Sequence, residues 1–258
     1  MRGASRLVAG LAVATLMAAG CGHTLRVSEG LAPTTTLAPP PTTTSTTVPA
    51  CPTPNVASGA VVTELATPNA PNLPYAAAPG GPMVGHLKNP WGGPATAPVV
   101  DQQNGWVQIR LGSRPNGSTA WLPATSVGLS TTPFRIVISI CQHSLTLFQG
   151  PNQVYSAPVG VGRPQWPTPV GPSFVDSIVN TPARQQYIYG PTVFIMATHS
   201  DVFTEFDGGD GTVGIHGYPS DPASTRGVAS SHGCVRASPD TINILKNVPV
   251  GTPIDVIA

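Results

Sequence analysis

Two short segments carry residues that can do chemistry together. One is Ile215-His216-Gly217; the other is Ser231-His232-Gly233-Cys234-Val235-Arg236, whose cysteine lies 18 residues beyond His216. A thiol attacks only as thiolate, and forming the thiolate needs a base or a positive field close by. An imidazole from another part of the fold supplies that base and then hands the proton to a departing amine. Cys234 is therefore the expected nucleophile and His216 the expected general base and acid. Gly217 and Gly233 flank the two groups and let a substrate backbone come close. Backbone N–H groups around Gly233 and Cys234 are the expected oxyanion donors. His216, His232 and Cys234 would hold zinc only with a fourth ligand that no segment supplies, and zinc would occupy the thiolate. No metal and no cofactor is called for.

Bringing His216 beside Cys234 takes a strand end, a loop over Tyr218 to Ser230 and a return, and the sequence around them reads as strands. Phe134 to Ile140 is a continuous apolar run rich in β-branched residues, which suits a buried strand. Leu145 to Phe148, Val154 to Gly162, Ser173 to Val179 and Thr192 to Ala197 continue the series. Ser238-Pro239-Asp240 opens a helix, with serine as N-cap and proline in the first turn. Pro249 and Gly251 stop it after about Asn247, and Pro253 to Ile257 closes the chain as a strand. With 28 Gly and 31 Pro in 258 residues, turns and short strands are favoured over long helices. The expected fold is mainly β, with one short helix near the C-terminus.

The order of these pieces resembles the L,D-transpeptidase catalytic domain of YkuD type. His216-Gly217 and Ser231-His232-Gly233-Cys234-Val235-Arg236 carry its signature. Thr168-Pro169-Val170-Gly171 and the closing Gly251-Thr252-Pro253-Ile254-Asp255-Val256 are similar to two further pieces. The resemblance implies a catalytic domain over residues 131–258 that acts on peptidoglycan stem peptides. Cys234 would attack the carbonyl between an L-centre diamino acid and a terminal D-alanine, and a neighbouring stem amine would collect the acyl group as a 3→3 cross-link. It further implies that the Gly217 carbonyl orients His216, that Ser231 and His232 shape the site, and that Arg236 receives a substrate carboxylate. Carbapenem β-lactams are the inhibitors it implies. Carboxypeptidation, protein-to-wall attachment and a catalytically idle wall-binding lipoprotein are the alternatives.

Upstream, Gly105 to Leu111 alternates as a strand should, Arg114-Pro115-Asn116-Gly117 supplies a turn, and Ala120-Trp121-Leu122 returns. This hairpin resembles the centre of bacterial SH3-like modules, which places a small β-barrel module at 57–130, with Trp106 and Trp121 in its core. Residues 1–20 read as a signal peptide: Arg2 and Arg6, an apolar run from Leu7 to Ala19, then a small-residue exit. Ala18-Ala19-Gly20-Cys21 resembles a lipobox, making Cys21 the lipidated residue and the membrane a partner. Residues 21–56, dominated by Thr and Pro, are an extended linker. The expected location is outside the cell, lipid-anchored and facing the wall. Of four cysteines, Cys51 and Cys141 then remain, an even pair that an oxidising compartment would allow to bond. Charged residues are only 9% of the chain and net charge is +1, so a nucleic-acid partner is not expected.

Overall fold

The computed structural model describes residues 51, 62–217 and 223–258. The expected signal peptide, the lipidated Cys21 and, apart from Cys51, the linker lie outside the described residues. Two large sheets and a two-stranded one form among the described residues from Val62 to Ala258. The first contains β1 (Thr63–Pro68), β2 (Pro74–Ala76), β3 (Met83–His86), β4 (Ala97–Gln103), β5 (Trp106–Arg110), β6 (Thr119–Pro123) and β7 (Val127–Thr132). Its strands pair in the order β3-β2-β6-β5-β4-β1-β7. Val107, Ile109, Ala120 and Leu122 are buried on β5 and β6, as alternation on a one-sided sheet requires. Trp121 is buried too, whereas Trp106 is only half-buried and stands across from Pro123 at the end of the ladder.

The chain then continues through β8 (Phe134–Ser139), β9 (Ser144–Gln149), β10 (Asn152–Pro158), β11 (Val161–Gly162) and β12 (Gly171–Asn180). After helix α1 (Gln186–Tyr189) come β13 (Thr192–His199), β14 (Thr212–Gly217), β15 (Ala229–Ser231) and β16 (Val235–Ala237), then helix α2 (Pro239–Leu245) and β17 (Pro253–Ile257). Eight of these strands make one sheet, β10-β9-β8-β17-β12-β13-β14-β16, and β11 pairs with β15. Helix α2 starts as its sequence dictates: Ser238 accepts from the Thr241 N–H and Pro239 occupies the first turn. Two expectations need correction. The stretch Val154 to Gly162 is not one strand, because the chain breaks between Pro158 and Val161. The C-terminal helix is not the only one, since Gln186–Tyr189 forms a single turn closed by Gly190 at φ 66°. One turn has no periodicity to read in a sequence.

Strand β12 joins the two cores. Val175 packs with Ile136, Phe194, Ile215 and Val235 in the core of the eight-stranded sheet. Phe174, on the other face, completes the core of the first sheet together with Ala197, Leu122 and Ile109. The close approach of Gly251 fits the same junction: at φ 88° it lies so near Leu65 of β1 that a Cβ would come within 3.1 Å of it. A disulfide between Cys51 and Cys141, 90 residues apart, joins the chain ahead of β1 to the β8–β9 turn. Closing a loop of that length contributes about 4.5 kcal/mol on the chain-entropy account.

Next to Phe174 the β12–β13 register slips between Val175 and Ser177, so Asp176 is the extra residue of a β-bulge. It is buried, and burial pushes its carboxyl up to about 6. An acid whose pKa is higher folded than unfolded costs stability as pH rises through that window. The wild-type chain should therefore lose up to about 3 kcal/mol between pH 4 and pH 7 from this group. Asp176→Asn should abolish that portion of the pH dependence and be more stable at pH 7. Urea unfolding at four pH values reads this directly, and equal slopes for both proteins would contradict it.

Candidate active site

Register decides which side chains meet. β14 and β16 are parallel, with Ile215 beside Val235, His216 beside Arg236 and Gly217 beside Ala237. Side chains alternate along a strand, so His216 and Arg236 share one face and Cys234, two residues before Arg236, shares it too. Continuing the register one residue back sets Cys234 beside Gly214. That backbone N–H reaches toward the sulfur. Cys234, His216 and Arg236 line a single cleft with Ser231 and His232.

His216 is buried, and its Nδ1 lies 2.8 Å from the Gly217 carbonyl oxygen. A carbonyl only accepts, so Nδ1 carries the proton and Nε2 is the basic nitrogen. The edge of Tyr189 packs against the ring, centroid to centroid 5.2 Å. Tyr189 in turn donates to Asp207 at 3.0 Å. Burial, reinforced by that carboxylate, raises its hydroxyl above the usual tyrosine range. Gly190 follows and sits so close to Gly217 that a Cβ would touch the Gly217 carbonyl at 3.4 Å. Helix α1 thus holds the group that holds the imidazole.

The turn that presents Cys234 is fastened from inside. Ser231 Oγ donates to the Cys234 carbonyl at 2.6 Å and accepts the Gly233 N–H at 3.1 Å. Thr168 Oγ1 donates to the Gly233 carbonyl at 2.7 Å and accepts from Gly162 N–H at 2.9 Å. Gly233 has φ +122°, which a residue with a side chain rarely adopts. The Gly233 N–H is therefore engaged with Ser231 rather than turned to an oxyanion, a departure from the expectation. Ser231 acts on the turn itself. Thr168, in the Thr-Pro-x-Gly segment, is its unforeseen second anchor.

His232 stands at the mouth and stacks on Trp166, 4.2 Å between centroids, with Phe206 at 5.7 Å. Burial, with Arg163 and Arg236 nearby, lowers its pKa, so it is neutral at pH 7 and serves as an aromatic surface. Phe203 and Phe206 come from the segment between β13 and β14, which the first sheet grips. Arg114 donates to the carbonyls of Ser200 at 2.9 Å, Phe203 at 2.8 Å and Asp210 at 3.0 Å. Asn116 exchanges hydrogen bonds with the His199 backbone at 2.7 and 2.8 Å. The Arg114–Gly117 turn was legible as a turn; its grip on this wall was not. His199, which has no partner pattern in the sequence, lies 3.1 Å from Asp210 through Nε2.

Residues 133–256 fit the family model of the YkuD L,D-transpeptidase catalytic domain. No curated protein matches the chain. Among solved structures, Bd1075 of Bdellovibrio bacteriovorus is 24% identical over 49% of this chain, with a TM-score of 0.39, and the match spans 48% of that protein. An L,D-transpeptidase from Mycobacterium smegmatis is 21% identical over 59% of this chain and 91% of its own, with a TM-score of 0.38. L,D-transpeptidase 3 from Mycobacterium tuberculosis, with a faropenem-derived adduct, is 18% identical over 59% of this chain and 91% of its own, with a TM-score of 0.38.

Within the matched stretch, burial raises the Cys234 thiol above its ordinary pKa, and the Gly214 N–H and Arg236 offset this only in part. The thiol is thus protonated at rest. Alkylation of Cys234 by iodoacetamide should keep accelerating beyond pH 9; a plateau at neutral pH would show a pre-formed thiolate instead. Arg114→Ala removes three hydrogen bonds to one segment, each contributing about 1 kcal/mol net. Amide exchange over residues 200–211 should then rise at least about tenfold, with β8 and β17 unchanged. Unaltered exchange there would leave Arg114 without the role.

Proposed function

We propose that the chain is a peptidoglycan L,D-transpeptidase working by cysteine acyl transfer. The observation that supports this reading most directly is the shared cleft of Cys234 and a His216 whose Nδ1 is committed to a carbonyl. Nε2 takes the Cys234 proton as sulfur attacks the carbonyl of the L-centre diamino acid. The oxyanion gathers beside the Cys234 turn, where the Cys234 backbone N–H, the expected donor not engaged by Ser231, lowers its energy. Collapse breaks the bond to D-alanine, whose amine leaves with the proton from His216, and a thioester remains. A stem amine then attacks the thioester, gives its proton to His216 and releases the thiol as a 3→3 cross-link forms. Arg236, on the cleft face beside His216, is suited to a substrate carboxylate.

The same reading gives the rest of the chain its roles. Residues 1–20 are a signal peptide, Cys21 carries lipid, and residues 21–56 span the distance from membrane to wall. The seven-stranded sheet is an SH3-like module. An extended Thr/Pro linker at about 3.1 Å per residue reaches several nanometres.

Incubation of the purified protein with disaccharide-tetrapeptide, read by mass spectrometry, tests the reaction. Dimers with loss of D-alanine are expected. Loss of D-alanine without dimers makes it an L,D-carboxypeptidase, and unchanged substrate makes it an idle wall-binding protein. A carbapenem should add its mass once, on Cys234. Cys234→Ala should abolish the adduct, and His216→Ala should slow its formation by at least about 100-fold. Near-normal acylation of His216→Ala would remove His216 as the base.

A further inference from the structure

A second cleft, of about 410 Å³, opens between the first sheet and β12. Neither Cys234 nor His216 lines it. Its floor is apolar, made by Leu87, Ile109 and Phe174, and its charged groups are Lys88, Arg110 and Asp176. That combination of size, apolar floor and few polar groups is what small-molecule sites share. Asp176 is nine-tenths buried, at 8% exposure. Among the described residues it has no hydrogen-bond or ion-pair partner, although two cations line the same cleft. Opposite charges around one cavity that do not meet leave room for a ligand carrying both.

The local backbone is arranged to keep this carboxylate in place. The β-bulge puts Asp176 on the Phe174 face of β12. Gly112 lies against it, so close that a Cβ would come within 2.8 Å of Oδ1. An unpaired buried carboxylate is costly, and an uncharged side chain in its place would be cheaper. Functional sites are where proteins commonly keep such stability-costing groups.

We propose that this cleft binds a small zwitterion of dipeptide size. Its ammonium seats on Asp176, its carboxylate faces Lys88 and Arg110, and its aliphatic part lies on Leu87, Ile109 and Phe174. The site is independent of acyl transfer at Cys234 and would stand even if that chemistry were absent.

Isothermal titration of the full chain with alanyl-alanine, before and after alkylation of Cys234, tests it. Binding is expected in both states, with affinity reduced at least about tenfold by Asp176→Asn. N-acetyl-alanyl-alanine should bind as weakly to the unsubstituted chain as the dipeptide does to Asp176→Asn. Alanyl-alanine amide should lose affinity as well, and Lys88→Gln with Arg110→Gln should no longer distinguish the amide from the acid. Gly112→Ala, which presses on Oδ1, gives a second variant that leaves every charge intact and should weaken the dipeptide. No binding to the unsubstituted chain, undiminished binding to Asp176→Asn, or binding abolished by alkylation of Cys234 would each overturn the proposal.

Discussion

The hydrogen bond from His216 Nδ1 to the Gly217 carbonyl, 2.8 Å long and buried, is the constraint on which the site rests. It fixes where the imidazole proton resides and so which nitrogen can receive another. A carboxylate in that place would add a charge; a main-chain carbonyl adds only a dipole, so the imidazole must be held by geometry. The surrounding structure supplies that geometry. Gly217 ends β14, its neighbour Gly190 packs against it at φ 66°, a conformation that favours glycine, and Tyr189 braces the ring from the side. Once β14 is fixed, its parallel register with β16 determines where Cys234 stands.

The first sheet belongs to the same construction. Phe174 of β12 and Ala197 of β13 complete its core, so β12 is wetted on neither face where the two cores meet. Arg114 reaches three backbone carbonyls of the segment that carries Phe203 and Phe206. A guanidinium presents several donors in a fixed fork, which suits it to gathering a folded-back loop. The aromatic wall by His232 therefore depends on a turn some ninety residues earlier in the chain.

The meeting of Cys234 and His216 in one cleft was legible because its signal is local: two short segments, each with its glycine, in a chain with few rivals. Strands such as Phe134–Ser139 and Pro253–Ile257, and the cap at Ser238, were legible for the same reason. What escaped depends on partners distant in sequence. Thr168 could be seen as part of a recurring segment, but its bond to the Gly233 carbonyl arises only when β11 and the Cys234 turn come together. The Gly233 N–H looked available because Ser231, two residues back, does not announce which way its hydroxyl turns. Asp176 sits in a strand whose bulge has no sequence mark, and helix α1 is too short to show a period.

The thiol and the imidazole place opposite demands on their surroundings, and the structure answers them separately. Burial favours neutral Cys234 over its thiolate, which would slow attack if the thiolate had to be present beforehand. The committed tautomer of His216 removes that requirement, because a basic nitrogen stands ready on the face that Cys234 shares. In the proposed reaction, ionisation then accompanies attack, with the charge passing from sulfur to the developing oxyanion rather than resting on sulfur. A neutral thiol is also the less oxidisable form, an advantage in the extracellular compartment proposed for this chain. The same burial that makes Cys234 a poor nucleophile alone makes it a durable one, provided that His216 keeps its proton on the Gly217 side.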